Sequence, residues 1–131
     1  MSCVFCAIVA GDVPSRQVYA DAHAIAFLDL SPWQTGHTLV VPRRHVDDLL
    51  DVDEALTEIA PAVSATARLL VDKLPADGLN LLSSARPSAG QEVFHLHVHL
   101  IPRYAGSSGL RAMMGRSTAD LDEVHARLSR S

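Results

Sequence analysis

His95, His97 and His99 occupy alternate positions in the run Gln91-Glu92-Val93-Phe94-His95-Leu96-His97-Val98-His99-Leu100-Ile101-Pro102. The intervening residues are Leu96, Val98 and Leu100, so polar and apolar side chains alternate with the period of a half-buried β-strand. The three imidazoles then share one face, with successive rings roughly 6.6 Å apart. Histidine works near neutral pH as nucleophile, acid, base or metal ligand because its unperturbed pKa is about 6.5. Two chemistries fit. His-x-His on a strand can present two ligands to zinc or another transition metal. Alternatively, one ring attacks phosphorus while its neighbours donate hydrogen bonds to the oxygens and the leaving group. The plain alternative is a strand of satisfied core histidines, against which three on one face, preceded by Gly90-Gln91, argue.

Cys3 and Cys6 form a Cys-x-x-Cys pair, which is half of a zinc site or a redox couple. A redox couple is expected after a strand at a helix start, and this pair lies at the beginning of the chain. Zinc is therefore favoured, ahead of free thiols and then of redox chemistry. The opening ten residues are apolar, but they carry no basic leader and run at once into Gly11, Asp12 and Pro14. They suit neither an export signal nor a bilayer span. The expectation is a cytoplasmic protein without a structural disulfide.

The chain of 131 residues has room for one domain with a proper core. A net charge of −4 supplies no basic surface for sequence-independent nucleic-acid binding, while leaving a nucleotide-sized anion possible. Neither nucleic acid nor membrane is expected as a partner.

The elements that must position these residues follow from pattern. A short helix to Ala10 ends at Gly11, and strands are expected over 16–20 and 24–28. A turn-rich connection from Asp29 to Gly36 leads to a strand over 37–41, stopped by Pro42. Apolar Leu56, Ile59, Ala60, Val63, Ala67 and Leu70 predict the main helix over 53–73, with a kink at Pro61. A strand over 78–84, a loop through Arg86 to Gly90 and the triple-histidine strand complete the core. Strands, a long helix and strands again predict an α+β fold: an antiparallel sheet with one long helix and short terminal helices. After Pro102 the chain turns Gly- and Ser-rich, and Leu121, Val124 and Leu128 predict a last helix capped by Ser117-Thr118. Arg103, Arg111 and Arg116 read as solvated tail charges more readily than as phosphate ligands. The division is a domain over 1–104 and a tail over 105–131.

His95-Leu96-His97-Val98-His99-Leu100-Ile101 resembles the signature of the histidine triad, or HIT, family. The segments from Ala26 to Pro32 and from Gly36 to His45, and the pair Gly90-Gln91, support the likeness, which runs from about Cys3 to Arg103. The resemblance implies a HIT-like fold and a small homodimeric nucleotide-binding protein. Such a protein hydrolyses or transfers nucleoside monophosphates from phosphoramidates, aminoacyl adenylates or dinucleoside polyphosphates, and binds a purine nucleotide such as AMP. By position His97 matches the nucleophile that forms a nucleotidyl-histidine intermediate. His99 matches a phosphate contact, and Gln91 a residue that positions the phosphate. His37 matches a position near the site, aiding the leaving group or supporting a triad histidine. Asp29 falls where an acid meets the ribose hydroxyls, and Phe5, Phe27 and Leu30 where the base pocket is lined. Trp33 borders that region, although a lone tryptophan needs no function.

The likeness extends to zinc. In many bacterial members two thiolates, the histidine after the Pro-basic-basic turn and the first triad histidine hold the metal, which here implies Cys3, Cys6, His45 and His95. That set is closed, and hence structural. It would also pin Val4 and Phe5 against the nucleotide site. Two departures stand out: Ser84 replaces a frequent asparagine, and Glu92 replaces a serine that in some relatives helps an amine leave. The leading reading is covalent catalysis through His97. A nucleotide-binding module without turnover and an enzyme with a catalytic metal are the alternatives.

Overall fold

In the computed structural model, which describes residues 3–130, the first helix α1 (Val4–Ala10) ends as the sequence predicts. Gly11 takes a left-handed conformation (φ 85°), and its N–H reaches back to the helix carbonyls. Strands β1 (Gln17–Ala20), β2 (Ala24–Leu28) and β3 (Thr38–Pro42) follow as an antiparallel meander. Helix α2 (Ala55–Lys73) leads to β4 (Gly78–Leu82) and β5 (Val98–Arg103). The sheet order is β1-β2-β3-β5-β4, and every pairing is antiparallel. The expected α+β architecture is present.

Each face of the sheet is covered by one helix. Ala24, Ala26, Val40, Leu96, Val98 and Leu100 pack with Ala55, Ile59, Ala62 and Leu70 of α2. Ile25, Phe27, Leu39 and Val41 point the other way, onto Phe5 and Ile8 of α1. The period-two alternation therefore sorts the last segment as predicted: Leu96, Val98 and Leu100 lie under α2, and the histidines between them lie on the α1 side.

Several expectations are corrected. The histidine run is not one continuous strand. Only His99 lies within β5, because β3 pairs with β5 no further back than Val40 opposite Val98. His95 and His97 sit in an extended lead-in, held by the Leu96 N–H on the Val46 carbonyl at 2.6 Å. The alternation survives without the ladder. Helix α2 runs through Pro61 uninterrupted, and its buried stripe is Ala55, Ile59, Ala62, Thr66 and Leu70. Leu56 and Ala60, expected in the stripe, are exposed and flank a groove beside Leu81 of β4. The last helix, α3 (Leu121–Leu128), is capped by Asp120, whose carboxylate accepts from the N–H groups of Asp122 and Glu123. Ser117 instead receives the Ala119 N–H in a local turn. Ser84 lies beyond the end of β4.

Gly36 is the tightest point of the loop that delivers His37. Its φ is 86°, and an added Cβ would come within 2.5 Å of Leu74 Cδ1 and 3.1 Å of Pro102 Cγ. Gly106 has the same backbone sign (φ 87°) with nothing within 4 Å. Gly36→Ala is therefore expected to cost about 2 kcal/mol or more in urea unfolding, and Gly106→Ala about 1 kcal/mol. Equal costs would mean that the close approach is unimportant.

Candidate functional site

The histidine run brings its side chains to two adjoining places separated by Phe5. On one side Cys3, Cys6, His45 and His95 turn toward one another, with their ligand atoms all within 4.8 Å. Cys3 Sγ is 3.4 Å from His95 Nδ1, and Cys6 Sγ is 3.3 Å from His45 Nδ1 and 3.5 Å from His95 Nδ1. A tetrahedral zinc with two sulfur and two nitrogen ligands sets such S···N separations at roughly 3.5 Å. The outer partners fit as well. His95 Nε2 donates to the Pro42 carbonyl at 2.9 Å, and His45 Nε2 donates to Asp47 Oδ1 at 2.7 Å. A carbonyl or carboxylate oxygen can only accept, so both protons are on Nε2 and both Nδ1 lone pairs face the thiols. Burial, the largest influence, and the charges of His45 and His97 hold the His95 pKa below its ordinary value, so the ring is neutral, as a ligand must be. The Cys6 thiol is pushed up by burial and by Cys3, a shift that a bound cation would oppose.

On the other side of Phe5 lies a cleft of about 430 Å³. Phe5, Phe27, Asp29, Leu30, Ser84, Gln91, Glu92, His97 and His99, all singled out in the sequence, line it. Phe5 and Phe27 make its apolar end, packed edge to face at 5.5 Å. Phe5 also lies edge-on to both His95 and His97, at 5.9 and 5.2 Å, and so joins the two places. The histidine rings at 97 and 99 are 4.9 Å apart, closer than an ideal strand gives, because they tilt by 65° against each other.

Main-chain groups decide what each ring offers. His97 Nδ1 donates to the His95 carbonyl at 2.8 Å, which leaves the Nε2 lone pair for chemistry. His37 Nδ1 accepts the Trp33 N–H at 3.0 Å, and an amide can only donate. The His37 proton is therefore on Nε2 and is given to His99 Nδ1 at 2.9 Å, so His99 carries its own proton on Nε2. His37 is 1 % exposed and stands behind His99 rather than on the cleft. Of the two roles open to it, this is the supporting one. Asp29 Oδ1 accepts the Ser31 N–H, and its other oxygen lies 3.6 Å from His37 Nε2.

Gln91 lines the cleft, but its side chain is engaged with main chain. Its Nε2 donates to the Asp47 and Val93 carbonyls, and its Oε1 accepts the Arg86 N–H at 2.6 Å. It braces a loop in which Arg86 takes φ 76°, a conformation strained for a residue with a Cβ. Arg103 directs its Nε to Asn80 Oδ1, and Arg111 and Arg116 are exposed on the tail. Sequence reasoning missed the part played by Trp33, which lies over His37 and His99. It also missed Asp47, although His45-Val46-Asp47 is a spacing that could have shown it.

A family model described as HIT domain matches residues 10–106. The chain belongs to the HIT family. Protein hit of Bacillus subtilis is 44 % identical over 113 residues, which cover 86 % of this chain and 78 % of that one. The structure of a zinc-bound histidine triad family protein from Mycobacterium smegmatis is 39 % identical, with a TM-score of 0.78 over 94 % of this chain and 87 % of that one. A histidine triad nucleotide-binding protein from Candida albicans is 32 % identical, with a TM-score of 0.81 over 97 % and 94 %. The HIT match begins at residue 10, so Cys3 and Cys6 lie outside the matched span and His45 and His95 within it. Among the described residues no helix is long and apolar enough to cross a membrane.

The electrostatics of the HIT cleft keep His99, and His37 behind it, uncharged. Burial, followed by the charges of His97 and His37, lowers the His99 pKa to about 4, against a smaller opposing effect of Asp29. Burial also lowers that of His37, with Asp29 opposing and Arg103 assisting. Between pH 6.5 and about 4 an unfolded chain binds a proton at this position that the folded chain refuses, so acidification through that window destabilises the fold. In an NMR titration the His99 ring is expected to change only near pH 4, against about 6.5 for an unperturbed histidine. His99→Gln should flatten that stretch of the Tm profile. Titration of His99 near 6.5 would show that the ring pair is not the desolvated unit described.

Proposed function

We propose that this HIT protein is a nucleotidyl hydrolase or transferase acting on nucleoside phosphoramidates or related nucleoside monophosphate conjugates, with His97 as nucleophile. The observation that carries the reading is the fixed tautomer of His97, whose Nε2 lone pair opens on a cleft with an aromatic end and a carboxylate. The base lies against Phe5, Phe27 and Leu30, and the ribose hydroxyls meet Asp29. Phosphorus comes to His97 Nε2, with Ser84, Glu92 and the loop braced by Gln91 beside it. A bond forms between Nε2 and phosphorus while the bond to the leaving group breaks, and the leaving group takes up a proton from solvent. Water then attacks phosphorus, restores His97 and releases the nucleoside monophosphate. His99 Nε2–H is placed to donate to a phosphoryl oxygen as its charge builds, and a ring that stays neutral keeps that single donor in a fixed direction. Activity toward dinucleoside polyphosphates is the same chemistry with a phosphate leaving group.

The thiol–imidazole cluster is proposed to hold a structural zinc through Cys3, Cys6, His45 and His95. Bound there, the metal supplies charge for two thiolates and ties α1 to the sheet. Because α1 carries Phe5, the tie also steadies the aromatic end of the cleft. A homodimer is supported by the groove of Leu56, Val63 and Leu81, which lies between α2 and β4, the last strand of the sheet. Leu81 is 57 % exposed there. The tail over 105–131 is proposed to lie outside the nucleotide-binding domain over 1–104, in a cytoplasmic protein.

The decisive test of the enzyme is intact-mass spectrometry after brief mixing with an adenosine phosphoramidate, with AMP release followed in parallel. A transient adduct of AMP mass is expected, and His97→Ala should lose it together with at least about a thousandfold in turnover. Undiminished turnover in a folded His97→Ala protein sinks the covalent reading. AMP binding with no turnover in the native protein would make it a binding module.

For the metal, the purified protein is expected to contain one zinc per chain. Chelation should lower the Tm by several degrees and weaken AMP binding about fivefold or more. A stripped protein with unchanged Tm and affinity would remove the clip from the account. For the dimer, Leu81→Glu is expected to halve the mass seen in sedimentation, and a native protein already monomeric would refute it.

A further inference from the structure

Trp33 is the single tryptophan of the chain and stands in the loop between Asp29 and Gly36. Its indole lies nearly flat on His99, with centroids 4.8 Å and planes 13° apart, and it leans over His37 at the same distance. Those two imidazoles are neighbours, 5.1 Å apart, so they cover the same face of the indole. Yet Trp33 remains 55 % exposed and contributes to the cleft wall. With one face covered by the imidazoles, that exposure falls to the opposite face and the edges of the ring.

Its position along the cleft gives that open face a use. Phe5, His97, His99 and Trp33 form a row of rings with successive centroids 5.2, 4.9 and 4.8 Å apart. Phe5 and Phe27 end the row on the side proposed for the base, and Trp33 ends it on the other, with the nucleophile between them. A nucleotide with its base at Phe5 and its phosphorus at His97 leaves the Trp33 end of the cleft to the other substituent of phosphorus.

We propose that the open face of Trp33 is a stacking platform for the leaving group, and that the site thereby favours leaving groups carrying a planar aromatic ring. An aromatic amine and a second nucleobase present the same flat π surface to it. Stacking of this kind is worth about two- to tenfold beyond the burial of equal area. The proposal rests on the enzyme reading for the direction of the leaving group, but it can be tested without turnover.

The kinetic test compares adenosine 5′-phosphoramidates of 2-phenylethylamine and 2-cyclohexylethylamine, which match in amine type and bulk while only the first can stack. The native protein is expected to prefer the phenyl compound by about fivefold in kcat/KM, Trp33→Phe to keep most of that ratio, and Trp33→Leu to bring it close to one. The ratio within each protein cancels any general loss of activity. No preference in the native protein, or an undiminished one in Trp33→Leu, overturns the proposal. If neither compound is turned over, the enzyme reading fails on its own, and the binding arm decides the platform. That arm uses analogues with CH₂ in place of the bridging N–H, followed by Trp33 fluorescence and calorimetry. Tighter binding and stronger quenching by the phenyl analogue support it, and equal affinity for both analogues refutes it.

Discussion

Every imidazole at the centre of this protein but His99 has one nitrogen committed to a group whose hydrogen-bonding sense is fixed, and His99 takes its sense from His37. The Pro42 and His95 carbonyls and the Asp47 carboxylate can only accept, and the Trp33 amide can only donate. Neutral histidine has one proton to place, so each commitment decides what the second nitrogen does. His95 and His45 are left with lone pairs toward two thiols, His97 with a lone pair toward a cleft, and His99 with a proton. Three adjacent rings on one chain segment thus acquire three different chemical characters. The backbone around them, rather than the identity of the residues, makes the distinction.

That backbone is held by ordinary packing. The lead-in bearing His95 and His97 lacks ladder partners, but Leu96 is anchored beneath α2 and hydrogen-bonded to Val46, while Ser83 Oγ donates to the His97 carbonyl. Gln91 closes the adjoining loop with contacts to Asp47, Val93 and Arg86, and this accounts for the unusual Arg86 backbone: the surrounding bonds over-determine it. The site is therefore stiff where protons must be directed. Leu30, by contrast, is 83 % exposed at the cleft edge, where the structure leaves room.

Much of this was legible in the residues. Alternation along 93–101 sorted histidines from core residues, and Gly11 ended its helix, because these depend on local periodicity and backbone freedom. The two-residue separation of the thiols and the period-two alternation of three histidines marked both halves of the site. What escaped depends on pairings distant in sequence. Where β5 begins is decided by where β3 stops pairing, which no residue near His95 reveals. Whether Leu56 or Ala55 faces the sheet turns on a small rotation of α2 that both patterns tolerate. Asp120 prevailed over Ser117-Thr118 as a cap because its carboxylate meets two N–H groups at once. The stacking of Trp33 on His99 joins a loop to a strand 66 positions later, and tryptophan in a turn-rich segment gives no warning of it.

Helix α1 has seven residues, fewer than a helix needs to persist in water on its own. It is capped by Cys3 at one end and Gly11 at the other, and it rests on the sheet chiefly through Phe5. The sheet and α2 form a larger and better-buried unit. The two parts should therefore open at different free energies, with α1 able to lift while the strands keep their amide protons from exchange. Phe5, one half of the aromatic end of the cleft, belongs to the looser part, and Phe27 and the imidazoles mostly to the tighter one. Local opening at one end of the site then leaves the proton arrangement at the other end undisturbed.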